Sequence, residues 1–440
     1  MLLIATDMNK KPSTKTALYL LFMLLMVGIS RLAKAQYMWN NDSAFKAAAP
    51  NSGRIWGYAF GDLAYKTHKD SLNRGGSNQY TGIPKNRTTF QFRRIYLGYD
   101  YNISKKFAAE LLLAAEDNFP AGNPPSSAAP SGDELLNNKL TFYIKLMNIR
   151  WKNIWKGTDL VVGQIATPAF PLLSERVWNY RSIERTISDI RRTPSYDMGA
   201  ALQGVFDPAT KNFGYNLMVA NGSSAKPEGD NFKWFYGDVY AYFANKKLVV
   251  DVYADYERLN WTKHWQHARQ MWKGYIAYNS SATAKGMDPG TGFTVGVEYF
   301  INNLKNDNFA TKIAGGVDTL STAPNGLSMY VHGDIVKTKL RFFARVDLYN
   351  PNNKVDNNVY SKYTGNTGNY NDNSYSLGTT ATGDQTYKQT FMTLGLDFTP
   401  VKNVHFMPNI WYNHFATQLP QANDDHDLVW RLTFYYVFGK

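Results

Sequence analysis

Sixteen short stretches in which polar and apolar residues alternate, joined by connections that are alternately brief and long, constrain this chain more than any other feature. The clearest is 339–349: Leu340, Phe342, Ala344, Val346 and Leu348 share one face, and Lys339, Arg341, Phe343, Arg345 and Asp347 the other. A period of two belongs to a strand, because successive side chains point to opposite sides of a pleated backbone. Opposite chemistry on the two faces is what a tube with lipid outside and water inside requires of every strand. Reversing the register would place Arg341 and Arg345 in hydrocarbon, at roughly 2–4 kcal/mol each near the midplane. The expected architecture is a 16-stranded antiparallel transmembrane β-barrel.

The strands are expected at 53–65, 91–101, 107–117, 139–151, 158–165, 197–206, 213–222, 234–243, 248–259, 292–301, 309–319, 327–336, 339–349, 388–398, 404–413 and 427–438. An even count suits a single-chain bacterial barrel. Connections at 102–105, 152–157, 207–212, 244–247, 302–308, 337–338 and 399–403 are short, as periplasmic turns are. Those at 67–87, 118–138, 166–196, 223–233, 260–291, 320–326, 350–387 and 414–426 are the longer ones, as outer loops are. The last strand carries Leu428, Trp430, Leu432, Phe434, Tyr436 and Phe438 on one face, an aggregation hazard in water and ordinary against lipid. A soluble β-sandwich is the competing architecture, but its loops need not alternate in length.

The N-terminus has Lys10, Lys11 and Lys15, then the apolar run 17–29, then Ala33-Lys34-Ala35. This reads as a secretory signal peptide over 1–35, cleaved before Gln36, with an N-terminal extension over 36–52 and the barrel over 53–438. A run of 13 residues is short for a spanning helix, which needs about 20. Met8 is an equally good start position. Removing 1–35 takes away five of 48 basic and one of 35 acidic residues, leaving +9 of the original +13. In an exported chain such a balance points to anionic solutes or lipid headgroups and away from nucleic acid. With no cysteine, disulfides and thiolate ligands are excluded.

Sixteen strands enclose a tube too wide for side chains to fill, so something must narrow it. The third long loop, 166–196, is the candidate: it holds five arginines against three acids and is stiffened by Pro168, Pro171 and Pro194. Read as a helix from Ser174 as N-cap, Val177, Tyr180, Ile183, Ile187 and Ile190 form an apolar stripe, with Arg181, Arg185 and Arg192 nearly opposite. The expectation is a loop folded inward, its stripe on the barrel wall and Arg176, Arg181, Arg185, Arg191 and Arg192 around the pore, beside Glu184 and Asp189. Guanidinium forks pair well with carboxylate, phosphate or sulfate. Internal pairing of Arg181, Arg185 or Arg192 with Glu184 and Asp189, merely pinning the loop, is the alternative. On the wall, Arg94, Lys145, Lys312, Arg341, Arg345 and Arg431 are expected to face Asp100, Glu110, Glu116, Asp251, Asp255, Glu298, Asp318, Asp347 and Asp397.

Phe92-Arg93-Arg94, Gly163-Gln164 with Pro168, Glu184-Arg185, Asp197-Met198-Gly199 and the aromatic last strand stand in an order and spacing that resemble the phosphate-selective porin O and P family over 52–438. The resemblance implies a 16-stranded outer-membrane channel of a Gram-negative bacterium, a homotrimer in outer-membrane lipid, with an inward third loop. The chain departs from that family's phosphate-specific members in having no long ladder of lumenal arginines uninterrupted by acids, which weighs against phosphate specificity. Together these readings give passive diffusion of small hydrophilic solutes with weak anion preference, and call for no cofactor, metal or catalysis.

Other chemistry is weaker. Of the seven histidines, His332 and His405 are expected in the lumen, but neither has a serine motif or an acidic partner at a telling spacing. His264-Trp265-Gln266-His267 is a metal pair without a third ligand nearby. Trp261, Trp265, Trp272, Tyr275 and Tyr278 fall in the expected loop 260–291, where they would either pack over the barrel mouth or stack on sugar rings. The second use would make an oligosaccharide-binding channel or a surface adhesin.

Overall fold

The computed structural model describes residues 49–74, 80, 83–116, 141–191, 194–261, 266–283, 286–365, 387–418 and 422–439. The expected signal peptide, loop 118–138 and Arg192 lie outside them. Sixteen strands pair antiparallel in chain order: β1 (Ser52–His68), β2 (Thr88–Asn102), β3 (Phe107–Glu116), β4 (Tyr143–Trp155), β5 (Thr158–Ala166), β6 (Tyr196–Val205), β7 (Phe213–Ala220), β8 (Trp234–Phe243), β9 (Leu248–Trp261), β10 (Gln266–Asn279), β13 (Phe293–Lys312), β15 (Asn325–Val336), β16 (Leu340–Asn350), β18 (Lys388–Val401), β19 (Val404–Ala416) and β20 (Asp425–Phe438). β20 pairs back onto β1, from Gly57 opposite Phe438 to His68 opposite Leu428, so the sheet closes and keeps no edge.

Alternation sorts the two faces. On β16, Arg341, Phe343, Arg345, Asp347 and Tyr349 are buried inward. Large apolar side chains are exposed on the other face of strand after strand, among them Trp151, Val162, Leu217, Val239, Ile276, Leu394 and Trp430. A soluble protein would not leave so much apolar surface bare, whereas hydrocarbon accepts it.

The strand count agrees with the expected sixteen, but two errors compensate. Residues 266–279, expected within a loop, are barrel strand β10, paired with β9 and β13. Its inward positions Met271, Tyr275 and Ala277 are apolar because they pack on structure inside the barrel, which blurs the polar alternation. The aromatic loop therefore dissolves: Trp272 and Tyr278 are exposed on the outer face, and Tyr275 is buried inside with its hydroxyl 2.6 Å from that of Tyr330. The expected barrel strand 309–319 is instead a hairpin. β13 runs straight through the expected turn at 302–308, and a turn with Gly315 (φ 96°) and Gly316 (φ 90°) leads into β14 (Val317–Thr322). Only glycine enters that region cheaply. β14 and β17 (Tyr360–Gly365) pair with the same far end of β13, forming a small sheet at the long-loop end. Lys312 and Asp318, expected on the lumen wall, form an exposed ion pair there (2.6 Å).

At the short-turn end, the connection 280–292 is the long one. It contains the two-residue strands β11 (Ala282–Thr283) and β12 (Gly286–Met287). Met287 is buried in the same apolar cluster as Val177, Trp178 and Tyr330, and Arg341 donates to the carbonyls of Pro289 (3.1 Å) and Gly290 (2.8 Å).

Candidate permeation site

The third loop leaves β5 and returns to β6 through a neck, where Thr167 donates its N–H to the Ser195 carbonyl (3.2 Å) and its hydroxyl to that of Pro194 (2.7 Å). Within it are two single-turn helices, α1 (Ser174–Trp178) and α2 (Ile187–Arg191). The expected continuous helix is broken at Asn179, which adopts φ 60° and donates to the Glu175 carbonyl. Ser174 does not cap; Leu173 stands at the N-cap, and Ser174 accepts from Lys273 Nζ at 3.5 Å. All five stripe residues, Val177, Tyr180, Ile183, Ile187 and Ile190, are buried, although on a backbone that is only partly helical.

Irregular backbone leaves carbonyls without helical partners, and buried ones must find others. Here wall arginines supply them. Arg93 on β2 donates to the Ser182 carbonyl, Arg431 on β20 to that of Ile183 (3.0 Å), and Arg345 on β16 to that of Arg185 (2.6 Å). His332 on β15 donates from Nε2 to the Val177 carbonyl (3.2 Å). Side chains close the remaining gaps. Trp411 on β19 donates to Glu184 (2.9 Å), the Ser188 N–H donates to Glu298 on β13 (3.3 Å), and Tyr180 donates to Asp397 on β18 (3.2 Å) and accepts from Arg341 (3.3 Å). A segment bonded to inward side chains of β2, β10, β13, β15, β16, β18, β19 and β20 lies within the ring of strands.

The charged residues expected at the site are brought together, but mostly in pairs. Arg181 is buried between Glu175 and Asp189 (2.9 Å to the latter), and Arg185 reaches Asp189 at 3.6 Å. Glu184 accepts from Trp411 and from the Arg185 N–H (2.9 Å). Arg176 donates to the Pro171 carbonyl (3.2 Å), and Arg191 lies over the Tyr349 ring, 4.1 Å from its centroid. On the wall, Arg94 and Lys145 share Glu116, Arg345 forks onto Asp347, and Arg341 pairs with Asp334. Arg431 is held by a neutral acceptor, Asn409 Oδ1 (2.7 Å), besides the Ile183 carbonyl.

Strict alternation overlooked Arg93, which pairs with Asp62. Phe60 stands opposite Arg94 and Gly61 opposite Phe92, so Arg93 is the extra residue of a β-bulge, and both arginines turn inward. Glu175, Lys273 and Trp411 were likewise overlooked, having no signal beyond residue type, and Tyr180 was read only as part of the apolar stripe. Across the ring, β8, β9 and β13 contribute the buried acids Asp238, Asp251 and Glu298, with Lys273 3.3 Å from Asp251.

A closed 16-stranded barrel of this kind, with an apolar exterior and a charged interior, has the fold of outer-membrane porin channels. The outer membrane channel DcaP of Acinetobacter baumannii matches it with a TM-score of 0.53 at 11% identity, over 88% of this chain and 98% of that one. The anion-selective porin from Comamonas acidovorans matches with a TM-score of 0.49 at 10% identity, over 88% and 100%. OpdK of Pseudomonas aeruginosa, solved with vanillate, matches with a TM-score of 0.41 at 11% identity, over 89% and 100%. No family model and no curated protein sequence matches the chain.

Proposed function

We propose that the protein is an outer-membrane porin: a passive channel for small hydrophilic solutes, constricted by its third loop and weakly anion-preferring. One observation carries the constriction: three wall arginines from β2, β16 and β20 take the carbonyls of Ser182, Ile183 and Arg185, holding the loop across the lumen. A loop held this way stays in the path of a solute instead of swinging out.

The preference for anions rests on the third loop, whose five arginines outnumber its three acids. Arg94, Lys145, Arg341, Arg345 and Arg181 face carboxylates, which cancels most of their field. Arg431, held by the neutral acceptors Asn409 Oδ1 and the Ile183 carbonyl, also lies in the field of the buried Asp62 carboxylate. The acids of β8, β9 and β13 lie across the ring from β20, β1 and β2, so a polar solute meets a transverse field. Phosphate or another oxyanion is the solute class this arrangement favours, and a homotrimer in outer-membrane lipid is the assembly the family resemblance implies.

Reversal potential across a planar bilayer in a salt gradient tests the reading, with a small anion-selective value expected. A cation-selective value removes the anion preference, and a membrane that stays silent removes the channel.

A further inference from the structure

We propose that His68, His426 and Asp425 form a binding site for a divalent transition-metal ion at the long-loop rim, clasping the first barrel strand to the last. Their ligand atoms all lie within 4.8 Å of one another, and no other such cluster of three occurs among the described residues. Asp425 Oδ1 is 3.8 Å from His426 Nδ1. Tetrahedral zinc with bonds of about 2.0–2.1 Å sets its ligands roughly 3.4 Å apart, so the Asp425–His426 pair is already within a few tenths of an ångström of that spacing.

Backbone groups fix the ligands. Asp425 Oδ2 accepts the Ser71 N–H (2.8 Å) and its Oδ1 accepts the His426 N–H (2.8 Å), which orients the carboxylate. His68 Nδ1 donates to the His426 carbonyl at 2.7 Å, which leaves Nε2 as the nitrogen this ring offers an ion, the outer contact typical of a metal-binding histidine. The two imidazoles are stacked, 3.9 Å between centroids and 6° apart, so their in-plane lone pairs run parallel. Converging them on one ion takes a turn of the His426 ring about its Cβ–Cγ bond, a soft torsion.

The location gives the ion a role. The register between β1 and β20 slips between Lys66 and His68, so Lys66 pairs inward with Asp427 (2.8 Å) while His68 stands opposite Leu428. That slip turns His68 to the face His426 occupies. His414 stands directly opposite His426 on β19, and cross-strand partners share a face, which places a third imidazole beside the cluster. All three proposed ligands are partly exposed, so an ion has a path in. Two imidazoles and one carboxylate suit zinc, copper(II) or nickel(II) better than magnesium or calcium, whose preference is for oxygen.

The test is calorimetric titration of the folded, chelator-treated full-length protein in detergent at pH 7.5 with zinc chloride, together with electron paramagnetic resonance of the copper(II)-loaded protein. We expect one zinc per chain, affinity reduced at least tenfold in both His68→Ala and Asp425→Asn, and copper hyperfine splitting from two or more nitrogens. The resonance arm needs no variant, so a substitution that fails to fold leaves the proposal testable. Zinc binding at unchanged affinity in folded His68→Ala, a copper spectrum without nitrogen coupling, or no heat of binding at micromolar protein would each overturn it.

Discussion

The third loop and the β13–β14–β17 sheet are both excursions from the long-loop end, and both carry paired charges, yet they do opposite things with them. In the loop, Arg181 with Glu175 and Asp189 is buried, and its neighbours' carbonyls are held by wall arginines. In the small sheet, Lys312 and Asp318 pair in the open, each more than a third exposed. Breaking a buried pair strands an uncompensated charge, whereas an exposed one rehydrates. The same residue types are therefore a fixture in one place and surface decoration in the other.

Four substitutions press on that difference. Arg93→Met leaves the buried Asp62 carboxylate without its guanidinium and frees the Ser182 carbonyl, so stability should fall by about 3–5 kcal/mol, read by urea titration. Trp411→Phe removes a bond to the Glu184 carboxylate, and the cost should be about 1.5–3 kcal/mol with noisier single-channel current. Tyr275→Phe deletes one neutral bond to Tyr330 and should cost about 0.5–1.5 kcal/mol with conductance unchanged. Lys312→Ala should shift neither unfolding nor current measurably; a large loss would show that the small sheet is more than decoration.

A separate effect belongs to pH. In the 206–212 turn, desolvation pushes the Asp207 carboxyl up, and bonds from Thr210, Asn212 and Phe213 more than reverse this, holding it at about 2. A carboxyl lowered from about 3.9 favours the folded state above that value, and loses its contribution as pH falls through about 2. Asp207→Asn should flatten the acid limb of the unfolding curve; an identical limb would assign the turn no part in it.

Much of the barrel was legible in the sequence because one face must meet lipid and the other must not. Where that opposition weakened, reading failed. β10 was concealed by Met271, Tyr275 and Ala277, which point inward yet are apolar because they meet structure within the barrel. The hairpin in 309–319 was concealed by a glycine pair that interrupts an otherwise regular alternation. Arg94, Lys145, Arg341, Arg345 and Arg431 were placed inward correctly by parity, and Arg93 was not, because a bulge breaks parity. The loop's apolar stripe was visible, but its partners were not: which carbonyl meets which arginine depends on strands up to 248 residues away in the chain.

Conductance of the intact protein against a variant with 172–191 replaced by a short Gly-Ser linker tests the central claim most directly. The neck at Thr167, Pro194 and Ser195 already brings the ends of the loop together, so the barrel need not change. A strapped loop that narrows an open tube predicts a larger single-channel conductance and an altered ion preference in the variant. Equal conductance and equal reversal potential in the two proteins would contradict it.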